Sequence, residues 1–168
     1  MLQLQRLNTI DSWGQPIPLT ADDLARLAAA PAGRQMTWLN CRLEPSPEIL
    51  QVLAHFPRLT HCTFSGRLFE DEMVRFCQHL PRGITSLGLY LDPQSQMDAR
   101  GIEALTACPI RHLCLMYGGF DREFAKKVAA MTKLVEFYPI HWGYGVAMPL
   151  TDEVVAELAQ SKSLQSLR

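Results

Sequence analysis

Cys108, His112 and Cys114 fall within seven positions of one another in the stretch ACPIRHLCLM, a density of ligating side chains that suggests two kinds of chemistry. Two thiols and an imidazole can hold zinc, provided that three or four such groups converge on one point. A thiol beside an imidazole can also serve as an activated nucleophile. A second set is spread further along the chain. Ser86, His112 and Glu136 supply a hydroxyl, a base and a carboxylate, the three types that an acyl-transfer site combines. Whether either set meets depends on the elements that carry it.

The chain has 168 residues, enough for one domain of ordinary size. Hydrophobic residues make up 48% and charged residues 20%, with a net charge of -1. That balance leaves no positive excess for a phosphate backbone or an anionic lipid surface, so neither nucleic acid nor membrane is an expected partner. No apolar run approaches the roughly 20 residues that a membrane-spanning helix requires. The opening MLQLQRLNTIDSWG lacks the charged start and long apolar middle of a secretory signal, and a cytoplasmic location is the expectation. Cysteines stand at 41, 62, 77, 108 and 114, an odd number with no CxxC pair, and are expected to stay reduced.

A search for self-similarity organises the rest. A short segment with apolar residues at positions 1, 4 and 6 appears as MTWLNC from 36, LTHCTF from 59, ITSLGL from 84 and IRHLCL from 110. Weaker copies start at 4 (LQRLNT), 134 (LVEFYP, with Pro139 at a strand position) and 164 (LQSLR), so the period lies in the mid-twenties. Positions 4 and 6 share one side of an extended chain and positions 3 and 5 the other, which predicts a short strand with one buried face per copy. Between copies, an apolar residue precedes a polar helix-starting one at Leu19-Thr20, Phe69-Glu70, Met97-Asp98, Phe120-Asp121 and Leu150-Thr151. The second unit uses Ser46-Pro47 instead, an N-cap with proline in the first turn. Apolar residues then return at helical spacing, as in Ile49/Leu53/Phe56, Met73/Phe76/Leu80 and Phe124/Val128/Met131. The acidic run Glu70-Asp71-Glu72 fits the first turn of such a helix, where negative charge is favoured.

The segments LTDEVVAELAQSKSLQSLR and GIEALTACPIRHLCL, the second with a Cys-Pro before its strand, resemble the leucine-rich-repeat family, in particular its ribonuclease-inhibitor-like and cysteine-containing subfamilies. The resemblance implies an α/β fold: a short horseshoe-shaped solenoid of about six strand-helix units, with parallel strands on the concave face and helices on the convex one. Residues 1–168 then form one domain, with an atypical first repeat over 1–35, regular repeats over 36–133, and a C-terminal repeat over 134–168 carrying an inserted loop at 141–149. It also implies binding of a protein partner rather than catalysis.

Applied to the opening residues, the register separates them. Counting from Ile110, His112 and Cys114 occupy positions 3 and 5 on the exposed face, whereas Cys108 ends the preceding helix beside Leu105. The three are not expected to converge on a metal. Cys41, Cys62, Cys77 and Cys108 are expected to pack inside, leaving Cys114 accessible. Ser86, His112 and Glu136 are consecutive in the position-3 column, but parallel side chains on an open sheet supply no evident oxyanion hole, so an ion pair between His112 and Glu136 is the expected use.

The columns read Trp38, His61, Ser86, His112, Glu136 and Ser166 at position 3, then Asn40, Thr63, Gly88, Cys114, Tyr138 and Arg168 at position 5, with Arg42, Ser65, Tyr90, Met116 and Ile140 at position 7. Their aromatic and amphipathic content suits a protein interface. The expected partner-binding residues are Trp38, Asn40, His61, Thr63, Tyr90, His112, Cys114, Met116, Glu136 and Tyr138, joined by Trp142 from the inserted loop. Trp13 and Trp142, each in a lengthened strand-to-helix loop, either extend that surface or cap the ends of the stack. The last strand leaves Leu164 and Leu167 on an edge, where a homodimer is one way to cover them. No cofactor and no metal are expected. The expected function is a non-enzymatic interaction module: an adaptor, an inhibitor or an immunity-type neutraliser. The alternatives are a hydrolase-like enzyme using Ser86, His112 and Glu136 or Cys114, and a structural subunit of a larger assembly.

Overall fold

A computed structural model describes residues 9–11, 19–92, 99–117, 120–140 and 150–167. The expectations placed on Leu4, Trp13, Met97-Asp98, Trp142 with its loop, and Arg168 lie outside those residues. In chain order the elements are β1 (Thr9–Asp11), α1 (Ala21–Ala29), β2 (Trp38–Leu43), α2 (Pro47–Leu53), β3 (His61–Gly66), α3 (Glu70–His79), β4 (Ser86–Leu91), α4 (Ala99–Ala107), β5 (His112–Met116), α5 (Arg122–Ala129), β6 (Glu136–Ile140), α6 (Asp152–Leu158) and β7 (Ser166–Leu167). The described strands form one sheet in sequence order, and every neighbouring pair is parallel. Among the described residues no helix is long and apolar enough to cross a membrane.

The helices start where short polar side chains can satisfy their first free amides. Thr20, Ser46, Asp121 and Thr151 each accept from a backbone N–H three residues on. At Thr20 the cap is reciprocal, because Asp23 takes the Thr20 hydroxyl and amide, and those bonds hold its carboxyl below the usual range. Phe69 caps α3 differently: its amide donates to Glu72 Oε2 at 3.0 Å, while the neighbouring Asp71 pairs with Arg100 at 2.8 Å. Glu72 is thus engaged at its own helix end and Asp71 with α4.

One face of the sheet is apolar because positions 4 and 6 turn the same way. Leu39 and Cys41, Cys62 and Phe64, Leu87 and Leu89, and Leu113 and Leu115 are all buried, as is Phe137. Pro139 is also buried, opposite Leu115 and past the two residues of β6 that pair with β7. The strand residues from Leu39 to Phe137 just named join Leu24, Leu53, Met73, Phe76, Leu105, Phe124, Val128, Val154 and Leu158 from the helices in one cluster. Each helix from α1 to α5 also touches the next.

The backbone repeats its own contacts from unit to unit. The carbonyls of Thr37, Thr60, Thr85, Arg111 and Val135, all at position 2, each accept two N–H groups, from positions 2 and 3 of the following strand. A turn into the strand recurs too: Met36, Leu59, Ile84 and Leu134 each donate to the carbonyl three residues back.

Two registers differ from expectation. Thr9 stands opposite Trp38 and Ile10 opposite Leu39, so the first copy of the pattern starts at Leu7 rather than Leu4. Leu4, Leu7 and Ile10 are spaced by three, and an apolar pair at positions 1 and 4 fits either window. In β2 the ladder is irregular: Leu39 faces Cys62, but Leu43 faces Phe64, so four residues of one strand advance against two of the other. This bulge lets Leu43 as well as Cys41 reach the core, and the regular register with β3 is interrupted between Leu39 and Leu43. Beyond it, Gly66 adopts a φ of 147°, a conformation that favours glycine, and a β-carbon there would stand 3.3 Å from Pro45 Cδ.

Candidate functional site

The sheet face turned away from the helices carries the position-3 column in the order anticipated. Trp38 is opposite His61, His61 opposite Ser86, Ser86 opposite His112, His112 opposite Glu136, and Glu136 opposite Ser166. With Asp11 as its partner across β1, Asn40 sits at the edge of this surface. Tyr138 lies opposite Cys114, and Met116 opposite both Tyr90 and Ile140.

His61 is the hub of this face. Trp38 stacks flat on it, with ring centroids 3.5 Å apart and planes 5° from parallel. Its Nδ1 lies 2.7 Å from Ser86 Oγ and its Nε2 lies 3.3 Å from Thr63 Oγ1. Hydroxyls both give and accept hydrogen bonds, so either neutral tautomer is served. The sequence put Trp38 and His61 side by side, but the stacking required the side-chain geometry.

This arrangement does not assemble the Ser86, His112 and Glu136 set that the hydrolase alternative would use. Ser86 takes His61, on the opposite side from His112, as its imidazole partner. The far nitrogen of His61 meets a hydroxyl, Thr63, where an acyl-transfer site would place an orienting carboxylate. Glu136 is two strands away from Ser86, which is roughly 10 Å at the ordinary strand spacing.

The cysteine-histidine cluster also comes apart. Cys108 Sγ turns toward the carbonyls of Ala104, at 3.4 Å, and Cys77, at 4.0 Å. Cys114 Sγ instead approaches the Tyr90 hydroxyl at 3.8 Å on the other side of the sheet. Among the described residues no three His, Cys, Asp or Glu side chains are grouped as metal ligands.

Three expected surface residues are less exposed than position alone implied. Thr63 is only 2% exposed. A side chain at neighbouring Gly88 would sit 3.0 Å from the Thr63 Cγ2 and Oγ1, so the bare glycine lets Thr63 lie flat beneath His61. Tyr90 and Cys114 are half-buried against each other. Burial pushes the Cys114 thiol above its usual range, and the Tyr90 hydroxyl only partly opposes this. Cys114 is therefore expected to react with a disulfide reagent at neutral pH about tenfold more slowly in the folded chain than in urea. Equal rates in the two states, followed by peptide mapping, would refute that burial.

Of the other cysteines, Cys41 and Cys62 are fully buried, as expected, whereas Cys77 and Cys108 are half-buried and adjacent. The sequence offered no sign of that second pair. Cys77 lies within a helix and Cys108 just after one, so they share no column.

Among the described residues, Trp38, at 39%, and Tyr138, at 41%, are exposed large hydrophobic side chains of this face. Between them His61, Ser86, His112, Cys114 and Glu136 help to line a hollow of about 430 Å³. Trp38 and Tyr138 are four strands apart, roughly 19 Å at normal spacing. The chain matches no protein-family model, and no curated protein or solved structure is significantly similar to it.

Proposed function

We propose that the chain is a leucine-rich-repeat-like solenoid, and that the sheet face turned away from its helices holds one protein partner without catalysis. The observation that carries this reading is the exposure of Trp38 and Tyr138 on one sheet face, with a shallow hollow of mixed lining between their strands. Two aromatic anchors roughly 19 Å apart suit the breadth of a protein surface better than a small ligand. The repeated position-2 carbonyl contacts and the in-order parallel sheet support the repeat architecture, because such units bury their apolar stripes only by stacking. His112, Glu136, Met116 and Asn40 complete a rim of mixed polarity.

The test is copurification from the native host with quantitative binding. Trp38→Ala and Tyr138→Ala are each expected to weaken the complex by about 1–3 kcal/mol with the fold intact, whereas Val155→Ala, exposed on α6, leaves affinity within about 0.5 kcal/mol. If the two aromatic variants bind as tightly as the parent chain, the sheet face is not the docking surface.

One contact favours a second reading. Ser86 Oγ at 2.7 Å from His61 Nδ1 is the separation of a nucleophile from its base. A hydrolase built on this pair is expected to be labelled stoichiometrically at Ser86 by a fluorophosphonate, and to lose labelling in His61→Gln. An interaction module leaves Ser86 unlabelled.

A further inference from the structure

The helix side carries a thiol pair that the sheet-face reading does not use. Cys77 belongs to α3, and Cys108 follows the last residue of α4. The two helices pack directly on each other, which brings together cysteines 31 positions apart in sequence. Cys108 Sγ reaches the carbonyl oxygen of Cys77 at 4.0 Å, while the Cys77 thiol points toward Met73 Sδ at 3.9 Å. Both cysteines line a surface hollow of about 370 Å³, ample for a molecule little larger than water, and Arg82 lines it as well. The remaining thiols are placed differently: Cys41 and Cys62 are 0% exposed, and Cys114 is covered in part by Tyr90.

We propose that Cys77 and Cys108 form a dithiol site that reduces a hydroperoxide and closes to an intramolecular disulfide joining α3 to α4. The two members are unequal. The neighbouring Cys77 side chain holds the Cys108 thiol below its usual range against the opposing effect of burial, while Cys108 and burial push Cys77 up. Cys108, which follows the end of α4 and lines a second hollow as well, is the attacking sulfur, and Cys77, held within α3, the resolving one. The Cys108 thiolate attacks one peroxide oxygen, a sulfur–oxygen bond forms and the oxygen–oxygen bond breaks. With hydrogen peroxide, the departing hydroxide takes up the proton that Cys108 had released and leaves as water. The Cys77 sulfur then attacks the sulfenic sulfur, the disulfide forms, and the sulfenic oxygen leaves as a second water carrying the Cys77 proton. Two electrons pass from the sulfurs to the peroxide, and the net change is two thiols and one peroxide to one disulfide and two waters.

The experiment uses the full chain, fully reduced, exposed to one equivalent of hydrogen peroxide, then alkylated and mapped by mass spectrometry. The expected product is a peptide pair linked through Cys77 and Cys108 and released by dithiothreitol, with Cys41, Cys62 and Cys114 alkylated as free thiols. In Cys77→Ser the oxidation is expected to stop at a sulfenic acid on Cys108 that dimedone traps. In Cys108→Ser, Cys77 is expected to be oxidised at least about tenfold more slowly than in the parent chain. Circular dichroism of both variants checks that the fold is retained. The proposal is overturned if Cys77 and Cys108 are recovered as thiols at a dose that oxidises free cysteine. Linkage of either to another cysteine, or passage of Cys108 to sulfinic acid while Cys77 stays reduced, overturns it too.

Discussion

Phe64→Ala is expected to destabilise the fold by about 3–5 kcal/mol, enough to take a large share of the stability of an ordinary domain. Phe64 is 1% exposed and stands between Leu43 of β2 and Leu89 of β4 in the sheet. Its ring meets Phe76 of α3 edge-on, with centroids 4.9 Å apart and planes at 87°. Truncation therefore removes the contact that seats α3 on the sheet, and it opens a cavity that strands on both sides are too rigidly paired to fill. Urea unfolding measures the effect. Phe64→Leu retains most of the volume and is expected to lose about 1–2 kcal/mol. A loss below about 1 kcal/mol for the alanine variant would mean that β3 and α3 do not meet through this ring.

Gly33→Ala is expected to destabilise by about 3 kcal/mol, through crowding rather than through a cavity. Gly33 opens a 3-10 turn over Gly33–Gln35 that folds back on the end of α1. A β-carbon there would lie 2.2 Å from the Leu27 carbonyl oxygen and 2.7 Å from the Ala28 α-carbon. Both are backbone atoms and cannot step aside as a side chain would. The turn must lift away, and it takes with it the bonds from Gly33 N–H to Ala30 and from Met36 N–H to Gly33 that lead the chain into β2. Thermal unfolding is expected to fall by roughly 6–12 °C for a domain of this size. Gly83→Ala is the control: its β-carbon would stand 3.1 Å from one carbonyl, that of Leu59, and a loss of no more than about 1 kcal/mol is expected. A Gly33→Ala protein that melts with the parent would show that the turn is not pressed against α1.

The same contrast between pattern and contact explains the sheet face. Position along a strand assigns a side, because the period of two is a property of the backbone alone, and it placed Trp38, His61, Ser86, His112, Glu136 and Ser166 in one row. It does not say how far each side chain stands up from that side. Thr63 lies flat because Gly88 beside it has no side chain, and Cys114 is shielded because Tyr90 leans against it. The Ser86 hydroxyl chose between two flanking imidazoles, and the stack of Trp38 on His61 holds His61 in place for it.

By itself the order of residues determined the strand and helix alternation, the helix starts at Thr20, Ser46, Asp121 and Thr151, the buried side of each described strand from β2 to β6, and the neighbours along the position-3 row. Those features follow from local periodicity and from capping, which act within a few residues. Tertiary structure alone decided the bulge in β2, the His61 hub, the shielding of Thr63 and Cys114, and the meeting of Cys77 with Cys108. Each of these depends on which side chain from another unit fills the adjoining space, and that is settled by packing between elements rather than by spacing along the chain.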